Sequence, residues 1–447
     1  MTTLWDHQKK TLVMMEQEKR TFDASDPGTG KTIVALKAFN DRISDNRKSM
    51  LVIAPKSLME PAWGSDIKKF YPELRLSIAE AATRSKAFAE PADIYITNTD
   101  ATKWLAKQKP AFFDKFDTIC VDEIASFKHK TSARSKALIK IKDYFEYRHG
   151  MTGTPNSNSI TDIWNQMYFI DDGERLGASF FHFRSQVCVA KQVGPSPRMV
   201  KWQDKEGAEA AVASLIGDIT SRHLFEDCMD IPPNHTYRVP YTLNANNRQQ
   251  YETLLSNAIL ELEGDTVTAV NQAVLRTKLL QVAAGVVYAD GAAQVLDTGR
   301  SALVIDLVEQ REHSIVFFNW SHQKQQLAAE ADKRGVTYEI IDGSVPNARR
   351  AEIVEAYQAG FFQTLFLHPK TGAHGLTLTK GTATIWASPI YEPDYLKQGK
   401  HRIYRGGQTQ PTETILIEAQ NTVEAKVFDI LDGKQLSMES LLELLEG

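Results

Sequence analysis

The residues Gly28-Thr29-Gly30-Lys31-Thr32 are of the types, and at the spacing, that bind phosphate groups. Gly28 and Gly30 can adopt backbone conformations closed to other residues, so successive N–H groups can point inward at phosphate oxygens. Lys31 would neutralise the β- and γ-phosphates, and Thr32 would ligate Mg²⁺ through its hydroxyl. An apolar helical pattern follows at once, and the positive end of that helix adds to the attraction. The segment therefore predicts a site for ATP and Mg²⁺, although an ordinary glycine-rich turn before a helix is the alternative.

A pair of carboxylates, Asp122 and Glu123, closes an apolar run that begins at Phe116. Such a run predicts a buried strand that presents its last side chains at the carboxyl edge of a parallel sheet, where α/β proteins bind ligands. Asp122 would hold the Mg²⁺ shell, and Glu123 would orient and deprotonate the attacking water. An isolated Asp-Glu pair is more often a solvated turn, but its position after this strand favours catalysis.

Arg402 and Arg405 lie in a basic segment, 398–408, far along the chain from the phosphate loop. Arginine is always charged, and its planar guanidinium fits phosphate oxygens. Arginines that a second domain supplies to a nucleotide act only when the cleft closes, and can be worth roughly 10³–10⁵ in rate. Alone, the segment would be a solvated basic face. With the phosphate loop it indicates ATP in a cleft between two lobes, so both arginines are predicted to be catalytic, as are Lys31 and Glu123.

Strands that alternate with helical patterns surround these groups. The segments 50–58, 94–99 and 147–155 each contain an apolar run that ends near a proline or near small polar residues. This alternation predicts a parallel, doubly wound sheet of the α/β class. The second half of the chain continues in the same way, with its first strong strand at 314–320.

The motifs, taken in order, resemble those of the superfamily 2 helicases and translocases, and within them the Swi/Snf-type DNA-dependent ATPase family. The motifs are Leu4–Gln8, Gly28–Thr32, Asp122–Ala125, Thr152–Pro155, Ile341–Ser344, Thr371–Leu378, Gln398–Gln408 and Thr422–Glu424. No single motif is specific, but the ordered set is, and it extends along nearly the whole chain. The resemblance implies two RecA-like doubly wound parallel-sheet domains in tandem, with a helical insertion.

The resemblance also implies roles that the residues alone do not reveal. Gln8 would lie against adenine, and Gly375 would belong to a glycine-rich motif that touches both nucleotide and DNA. Five residues would contact DNA: Lys56, Thr97, Asn98, Asn319 and Thr371. Two positions depart from the family pattern. His7 stands where an aromatic residue is usual, and Ala125 replaces a histidine that helps to link hydrolysis to DNA binding, which puts that link in question.

Four regions are predicted along the chain. Residues 1–160 form an ATP-binding lobe, 161–234 a helical protrusion and linker, 235–425 a second lobe with the arginines, and 426–447 an amphipathic helix. An aromatic group within the protrusion is expected in the core rather than on a base-stacking surface: Phe180, Phe181 and Phe183. The tail is expected to brace the first lobe, with partner binding as the alternative.

The composition is that of a soluble globular protein of more than one domain. The 447 residues exceed one ordinary core, and 42% are apolar and 24% charged. No run of about eighteen apolar residues and no basic-then-apolar start occur, so neither a membrane span nor a secretory signal is predicted. Three widely spaced cysteines predict neither disulfides nor structural zinc, which favours a reducing cytoplasm. The short chain favours the cytoplasm of a bacterial or phage-infected cell. The net charge of −4 permits a basic groove.

These inferences converge on an ATP-dependent translocase on double-stranded DNA, expected to act as a monomer. One alternative is a strand-separating helicase of the same superfamily, acting on DNA forks or RNA, although no strand-splitting hairpin is obvious in the sequence. Another is a nucleotide-dependent switch with a slow ATPase whose output is binding to a protein partner. The short chain favours a compact bacterial or phage-type motor, without choosing among repair, recombination, replication restart and defence.

Overall fold

The computed structural model describes residues 4–42, 48–193, 196, 199–264, 269–289, 292–372, 376–390 and 392–443. The chain divides into two compact units. The first comprises Met1–Asp230 together with Lys434–Gly447, and the second comprises Ile231–Gly433. Each unit contains one large sheet of its own, as the predicted tandem α/β fold requires.

The first unit is built on a seven-stranded, wholly parallel sheet in the order β3-β4-β2-β5-β6-β1-β9. Its strands are β1 Arg20–Asp23, β2 Ser49–Ala54, β3 Leu76–Ala79, β4 Ile94–Asn98, β5 Phe116–Asp122, β6 Tyr147–Met151, β7 Cys188–Gln192, β8 Val200–Asp204 and β9 Thr220–Ser221, of which β7 and β8 form a separate hairpin. Its helices are α1 Asp6–Gln17, α2 Lys31–Asp41, α3 Ser65–Phe70, α4 Arg84–Ala89, α5 Thr102–Leu105, α6 Ala133–Ile141, α7 Trp164–Asp171, α8 Phe180–Val187, α9 Ala208–Ile216 and α10 Phe225–Cys228.

The central strands are apolar because both faces of the sheet are covered. Along β5, Ile119, Cys120 and Val121 are completely buried. Ile119 and Val121 belong to one core cluster, whereas Cys120 belongs to the cluster on the other face. This two-sided burial explains why the run reads as continuously apolar rather than alternating.

The register of the sheet brings three strand ends together. Met151, the last residue of β6, pairs with both Asp122 of β5 and Asp23 of β1. The segments that follow these strands therefore begin at one edge of the sheet. They are the phosphate loop after Asp23, Glu123 after Asp122, and Thr152 after Met151.

The protrusion differs from its prediction in one respect, because it is not only helical. Strands β7 and β8 pair antiparallel as a hairpin, and β9 joins the main sheet. The sequence signal was the turn segment 194–197 between two runs of residues suited to strands. The aromatic group of the protrusion lies only partly in the core, because Phe183 is buried whereas Phe181 is 62% exposed.

The second unit has a six-stranded, wholly parallel sheet in the order β10-β17-β16-β13-β15-β14. Its strands are β10 Asn234–Tyr241, β11 Val286–Ala289, β12 Ala292–Val295, β13 Ser314–Phe317, β14 Tyr338–Ile341, β15 Thr364–Leu367, β16 Ala383–Trp386 and β17 Thr412–Ala419, with β11 and β12 as a separate pair. Its helices are α11 Ala245–Gly264, α12 Ala269–Ala283, α13 Gly299–Glu309, α14 Ser321–Arg334, α15 Asn347–Gln358, α16 Pro369–Gly372, α17 Pro393–Lys400 and α18 Val423–Glu443, the last of which continues past the unit's end.

Helix α17 packs closely on the second sheet and carries the basic segment with it. The rings of Phe317 and Trp386 stack with centroids 4.2 Å apart. A Cβ atom on Gly399 would lie 2.6 Å from the Trp386 ring, so only glycine allows this approach. The contact fixes the helix that immediately precedes Arg402.

Among the helices in the described part of the chain, none combines the length and the apolar character needed to cross a membrane. The three cysteines are free thiols; Cys120 and Cys188 are buried and Cys228 is half-buried.

Candidate active site

The phosphate loop connects β1 to α2 and has the backbone that its glycines predict. Gly28 and Gly30 have φ values of +91° and +84°, in the left-handed region that favours glycine. Helix α2 begins at Lys31, so its positive end faces the loop. The Lys31 ammonium donates hydrogen bonds to the carbonyl oxygens of Ser25 (2.6 Å) and Asp26 (2.9 Å). The cation is thus held over the loop that it would serve.

Gln8 and His7, on α1, contact the phosphate loop at Thr29. Gln8 Nε2 donates to the Thr29 carbonyl oxygen at 3.0 Å, and His7 Nε2 lies 2.8 Å from the same oxygen. Gln8 Oε1 accepts from the Trp5 backbone N–H, so both ends of this buried amide are engaged. A Cβ atom on Gly30 would lie 2.2 Å from Gln8 Nε2. In this structure Gln8 therefore shapes the loop, and its contact with adenine stays a prediction.

A cavity of about 680 Å³ opens beside this corner of the loop. Trp5, His7 and Lys10 line one side, and Arg222 and His223 line another. The His7 and His223 rings lie 5.4 Å apart, and burial lowers the pKa of His223. A concave, partly aromatic space with a few polar groups suits a planar base.

A buried ion pair braces the loop from behind. Arg222 Nη1 donates to Asp26 Oδ1 at 2.8 Å, and the Phe225 N–H donates to Asp26 Oδ2 at 3.1 Å. Both charged side chains are almost fully buried. The sequence analysis missed this brace, because 196 positions separate the partners and nothing in the local pattern of either residue indicates the other.

Asp122 lies at the carboxyl end of β5, as predicted, in an apolar setting that has two polar contacts. Trp63 Nε1 donates to Asp122 Oδ2 at 2.9 Å, and the Glu123 N–H donates to Asp122 Oδ1 at 3.0 Å. Burial raises the pKa of the Asp122 carboxyl, whereas the Trp63 hydrogen bond and the nearby Lys31 charge oppose that rise. Trp63, completely buried in the helical turn Met59–Gly64, is a second residue that the sequence analysis missed.

Glu123 adopts an uncommon backbone conformation. Its φ of +51° is in the left-handed region, which a non-glycine residue enters only at some cost. The turn directs the carboxylate to Thr152, whose hydroxyl donates to Glu123 Oε2 at 3.2 Å. Thr152 follows β6, so the adjacent strands β5 and β6 jointly set the position of the predicted base.

The residues that follow Glu123 connect the motif Asp122–Ala125 to the segment after Thr152. Lys128 Nζ donates to Ser157 Oγ at 2.6 Å and lies 3.3 Å from Asp162. Ala125, where the family has histidine, is buried and offers no side-chain donor. The connection therefore depends on Lys128 rather than on position 125.

These residues fit ATP with Mg²⁺. The positive-φ glycines, the start of α2 and the Lys31 ammonium make an anion site, and Asp122 adds a buried carboxylate. Thr32 is the second residue of α2, next to that site. Among the described residues no group of three or more His, Cys, Asp or Glu side chains could hold a metal alone. Mg²⁺ usually takes one or two protein ligands together with phosphates and water, and Thr32 and Asp122 would be those ligands.

The predicted DNA residues of the first unit have different environments. Lys56 is exposed in the turn that follows β2. Asn98, at the end of β4, is half-buried and accepts a hydrogen bond from Arg84. Thr97 is completely buried and donates to the Ala79 carbonyl oxygen, so its side chain supports the strand end and presents no group at the surface.

In the second unit the two predicted arginines converge on one backbone atom. Arg402 Nη1 and Arg405 Nη1 donate to the Leu376 carbonyl oxygen at 3.1 and 3.3 Å. Arg402 is buried and Arg405 is half-buried. Leu376 lies within the predicted motif Thr371–Leu378, directly after Gly375, which is outside the described residues.

The two DNA residues predicted for the second unit lie after strands of its sheet. Asn319, two residues past β13, donates through its amide to the carbonyl oxygens of Ser388 (3.2 Å) and Pro389 (2.8 Å). Thr371, in the short helix α16 after β15, is half-buried. Both stay predictions as DNA contacts.

Two family models match successive parts of this chain. The SNF2-related domain matches residues 7–284, and the Helicase conserved C-terminal domain matches residues 299–407. Protein p41 of Acyrthosiphon pisum secondary endosymbiont phage 1 is 26% identical to this chain, over 94% of this chain and 93% of its own length.

Two longer proteins are also similar. YwqA of Bacillus subtilis is 23% identical over 94% of this chain and 46% of its own length. Mouse ZRANB3, named a DNA annealing helicase and endonuclease, is 24% identical over 97% of this chain and 40% of its own. This chain thus spans less than half of either protein. Among solved structures, the Sulfolobus solfataricus SWI2/SNF2 ATPase core in complex with dsDNA is 21% identical, with a TM-score of 0.45, covering 100% of this chain and 95% of that one.

Proposed function

The chain belongs to the SNF2-related family of ATP-dependent helicases and translocases, and from that premise we propose that it translocates along double-stranded DNA by hydrolysing ATP. The observation that carries the proposal is the meeting of three functional segments at adjacent strand ends of the first unit. The phosphate loop, Glu123 and Thr152 follow β1, β5 and β6, Asp122 ends β5, and the last residues of the three strands are in register. Such an edge holds a phosphorylated ligand and the group that acts on it.

In the proposed reaction ATP lies with its phosphates on loop 28–32, against the start of α2 and the Lys31 ammonium. Thr32 and Asp122 would hold Mg²⁺, which when bound neutralises charge on the phosphates. Glu123 would accept a proton from the attacking water while Thr152 fixes the carboxylate through its hydrogen bond. The buried Asp26–Arg222 pair would keep the loop in place during turnover.

Arg402 and Arg405 are proposed to supply positive charge to the phosphates held by the first unit. A guanidinium keeps its charge at any working pH and can bind two phosphate oxygens at once. Because these arginines belong to the second unit, hydrolysis would depend on how the two units meet, and that dependence would turn ATP use into movement.

The proposed track is the phosphate backbone of duplex DNA. Exposed Lys56 and the polar residues Asn98, Asn319 and Thr371 suit contacts to phosphate, which hold the strand without reading its sequence. Duplex DNA is preferred to a single strand because the motif set resembles Swi/Snf-type proteins, which track duplexes without separating them. The relative ZRANB3 is also named for an action on DNA, as a DNA annealing helicase and endonuclease.

One observation favours a second candidate, a nucleotide-dependent switch that captures a protein partner. Ala125 gives the motif Asp122–Ala125 no side-chain donor that could link DNA binding to hydrolysis. A switch would hydrolyse ATP slowly whether or not nucleic acid is present.

ATP hydrolysis by the wild type and by Lys31→Ala tests the proposal, measured alone and with duplex DNA, single-stranded DNA or RNA. We expect duplex DNA to stimulate the wild type strongly and the variant not at all. Equal rates with and without every nucleic acid would refute the translocase and favour the switch. Stimulation by RNA or single strands alone would favour the helicase alternative.

A further inference from the structure

The β7–β8 hairpin of the first unit has a feature that the ATPase site does not use. Lys191 on β7 stands directly opposite Lys201 on β8, and both side chains are exposed. Two like charges that face each other across an antiparallel pair repel, which destabilises the hairpin unless something negative lies over them.

Among the described hairpin residues, none on this face carries a negative charge. Val189 pairs with Gln203 on the same face, and Val193 and Met199 follow it toward the tip. These three apolar side chains are 40%, 61% and 42% exposed. The one carboxylate among the described hairpin residues, Asp204, lies on the opposite face with Cys188 and Trp202.

The opposite face anchors the hairpin to the body of the unit. Asp204 accepts hydrogen bonds from Ser159 Oγ (2.7 Å) and the Ile160 N–H (2.9 Å). The Arg184 guanidinium lies 4.0 Å from the centre of the Trp202 ring. The hairpin is therefore a fixed projection and not a loose loop.

The segment 152–160 connects this anchor to the proposed catalytic residues. Ser159 follows Ser157, which accepts a hydrogen bond from Lys128, and the same segment begins at Thr152, the partner of Glu123. A force on the hairpin would thus act on the segment that positions the catalytic carboxylate.

We propose that the outward face of the β7–β8 hairpin, centred on Lys191 and Lys201, is a contact surface for the phosphate backbone of duplex DNA. The inference rests on the proposed function and adds a contact that no motif contains. Phosphates spaced along a strand offer negative charge to both lysines and relieve their repulsion. Val189, Val193 and Met199 would pack against sugars, which are apolar on one side. An acidic protein surface could use the same charges, and the experiment distinguishes the two.

Lys201→Glu is the informative variant, because it places a carboxylate opposite Lys191 and makes an attractive cross-strand pair. The hairpin should fold at least as well as in the wild type, with an equal or higher Tm. Lys48→Glu is the matched control, since Lys48 is exposed at the amino end of β2, away from the edge that carries the ATP site. The charge change is the same in both variants.

The measurements are basal ATPase activity and the affinity for a fluorescent DNA duplex at several salt concentrations. We expect Lys201→Glu to keep the basal rate, to bind the duplex about tenfold more weakly, and to lower the salt slope by roughly one. Lys48→Glu should match the wild type. Duplex affinity equal to that of the control would overturn the proposal, even if the variant lost an acidic protein partner. A wild type that binds no duplex would overturn both this inference and the proposed function, whereas a stimulated wild type with an unaffected variant would refute only the hairpin contact.

Discussion

Arg402 and Arg405 both donate hydrogen bonds to the carbonyl oxygen of Leu376, at 3.1 and 3.3 Å. The two guanidinium groups are therefore held side by side at one point of the second unit. Arg402 also donates through Nε to the Gln398 carbonyl oxygen at 2.8 Å and is buried, whereas Arg405 is half-buried. The two residues should therefore share a catalytic role and differ in their structural one.

Alanine substitutions separate these roles. Either Arg402→Ala or Arg405→Ala should reduce the rate of ATP hydrolysis by roughly 10³-fold or more. Arg402→Ala should also lower the free energy of unfolding by about 1–3 kcal/mol, because it leaves the buried Gln398 carbonyl oxygen without its side-chain donor. Thermal unfolding with parallel ATPase assays checks this. Equal Tm losses in both variants, or normal hydrolysis in either, would contradict the assignment.

A side chain at position 30 should displace Gln8 from the phosphate loop. In Gly30→Ala the new Cβ atom would lie 2.2 Å from Gln8 Nε2, at a φ of +84°. Gly207→Ala is the control, because Gly207 has a similar φ of +76° but nothing within 4 Å of a Cβ atom. Each change should cost about 1–2 kcal/mol of backbone strain.

Only Gly30→Ala should also displace Gln8 from the loop and weaken ATP binding. Titration with a fluorescent ATP analogue checks this, and we expect normal binding in Gly207→Ala. If both variants bound ATP as tightly as the wild type, Gln8 would not shape the loop.

Trp63 should set the acid limb of the pH–rate profile through Asp122. Burial raises the pKa of that carboxyl and the Trp63 N–H opposes the rise, so Trp63→Phe should raise the pKa further. A hydrogen bond to the ionised carboxylate favours that form, so its removal makes the carboxyl harder to ionise. Activity needs the ionised form, so the acid limb should move to higher pH.

The control for this shift is Trp164→Phe, which removes an indole hydrogen bond to the Gly177 carbonyl oxygen elsewhere in the first unit. Its acid limb should stay in place even if its Tm falls. An unmoved limb in Trp63→Phe would mean that another group governs the low-pH loss.

Asp122→Asn should abolish hydrolysis and remove one pH-dependent loss of stability. The folded-state pKa of Asp122 lies above its usual value, so the wild type loses stability as the pH rises from the usual value to the raised pKa, and the loss is complete above it. The Tm of the wild type should therefore fall relative to that of Asp122→Asn as the pH rises from about 4 to 8. Below about pH 4 the wild-type carboxyl is protonated in both folded and unfolded states, so the difference between the two Tm values should stop changing. Unfolding curves across this range test the sign.

Thr152 should affect turnover and not ATP binding. Thr152→Val keeps the shape but removes the donor to Glu123 Oε2, so we expect kcat to fall about 10–100-fold with KM for ATP unchanged. Thr152→Ser keeps the hydroxyl and should stay within a few-fold of the wild type. A normal kcat in the valine variant would show that the Thr152 hydroxyl is not needed to position Glu123.

Much of the ATP site could be predicted from the sequence, because its chemistry depends on residue type at short spacing. Gly28 and Gly30 predict positive φ values. An apolar run that ends in Asp122 predicts a strand that ends at the carboxyl edge of the sheet, where ligands bind. The parallel sheet then follows from the alternation of strands and helices. These features are local, so a single chain reveals them.

The partners that position these groups could not be predicted, because folding brings them from distant positions. Trp63 precedes Asp122 by 59 residues, and Arg222 follows Asp26 by 196. The acceptor of Arg402 is a backbone carbonyl, which has no signature in the sequence. Each partner looks like an ordinary core or surface residue until the sheet register is known.

The central claim is movement along intact duplex DNA, and displacement of a triplex tests it most directly. A labelled third strand is bound to a duplex, and its release is followed after addition of the protein and ATP. We predict ATP-dependent release by the wild type without separation of the duplex strands, and no release by Lys31→Ala. Failure to release the third strand, while the same preparation hydrolyses ATP or unwinds a forked duplex, would contradict the account.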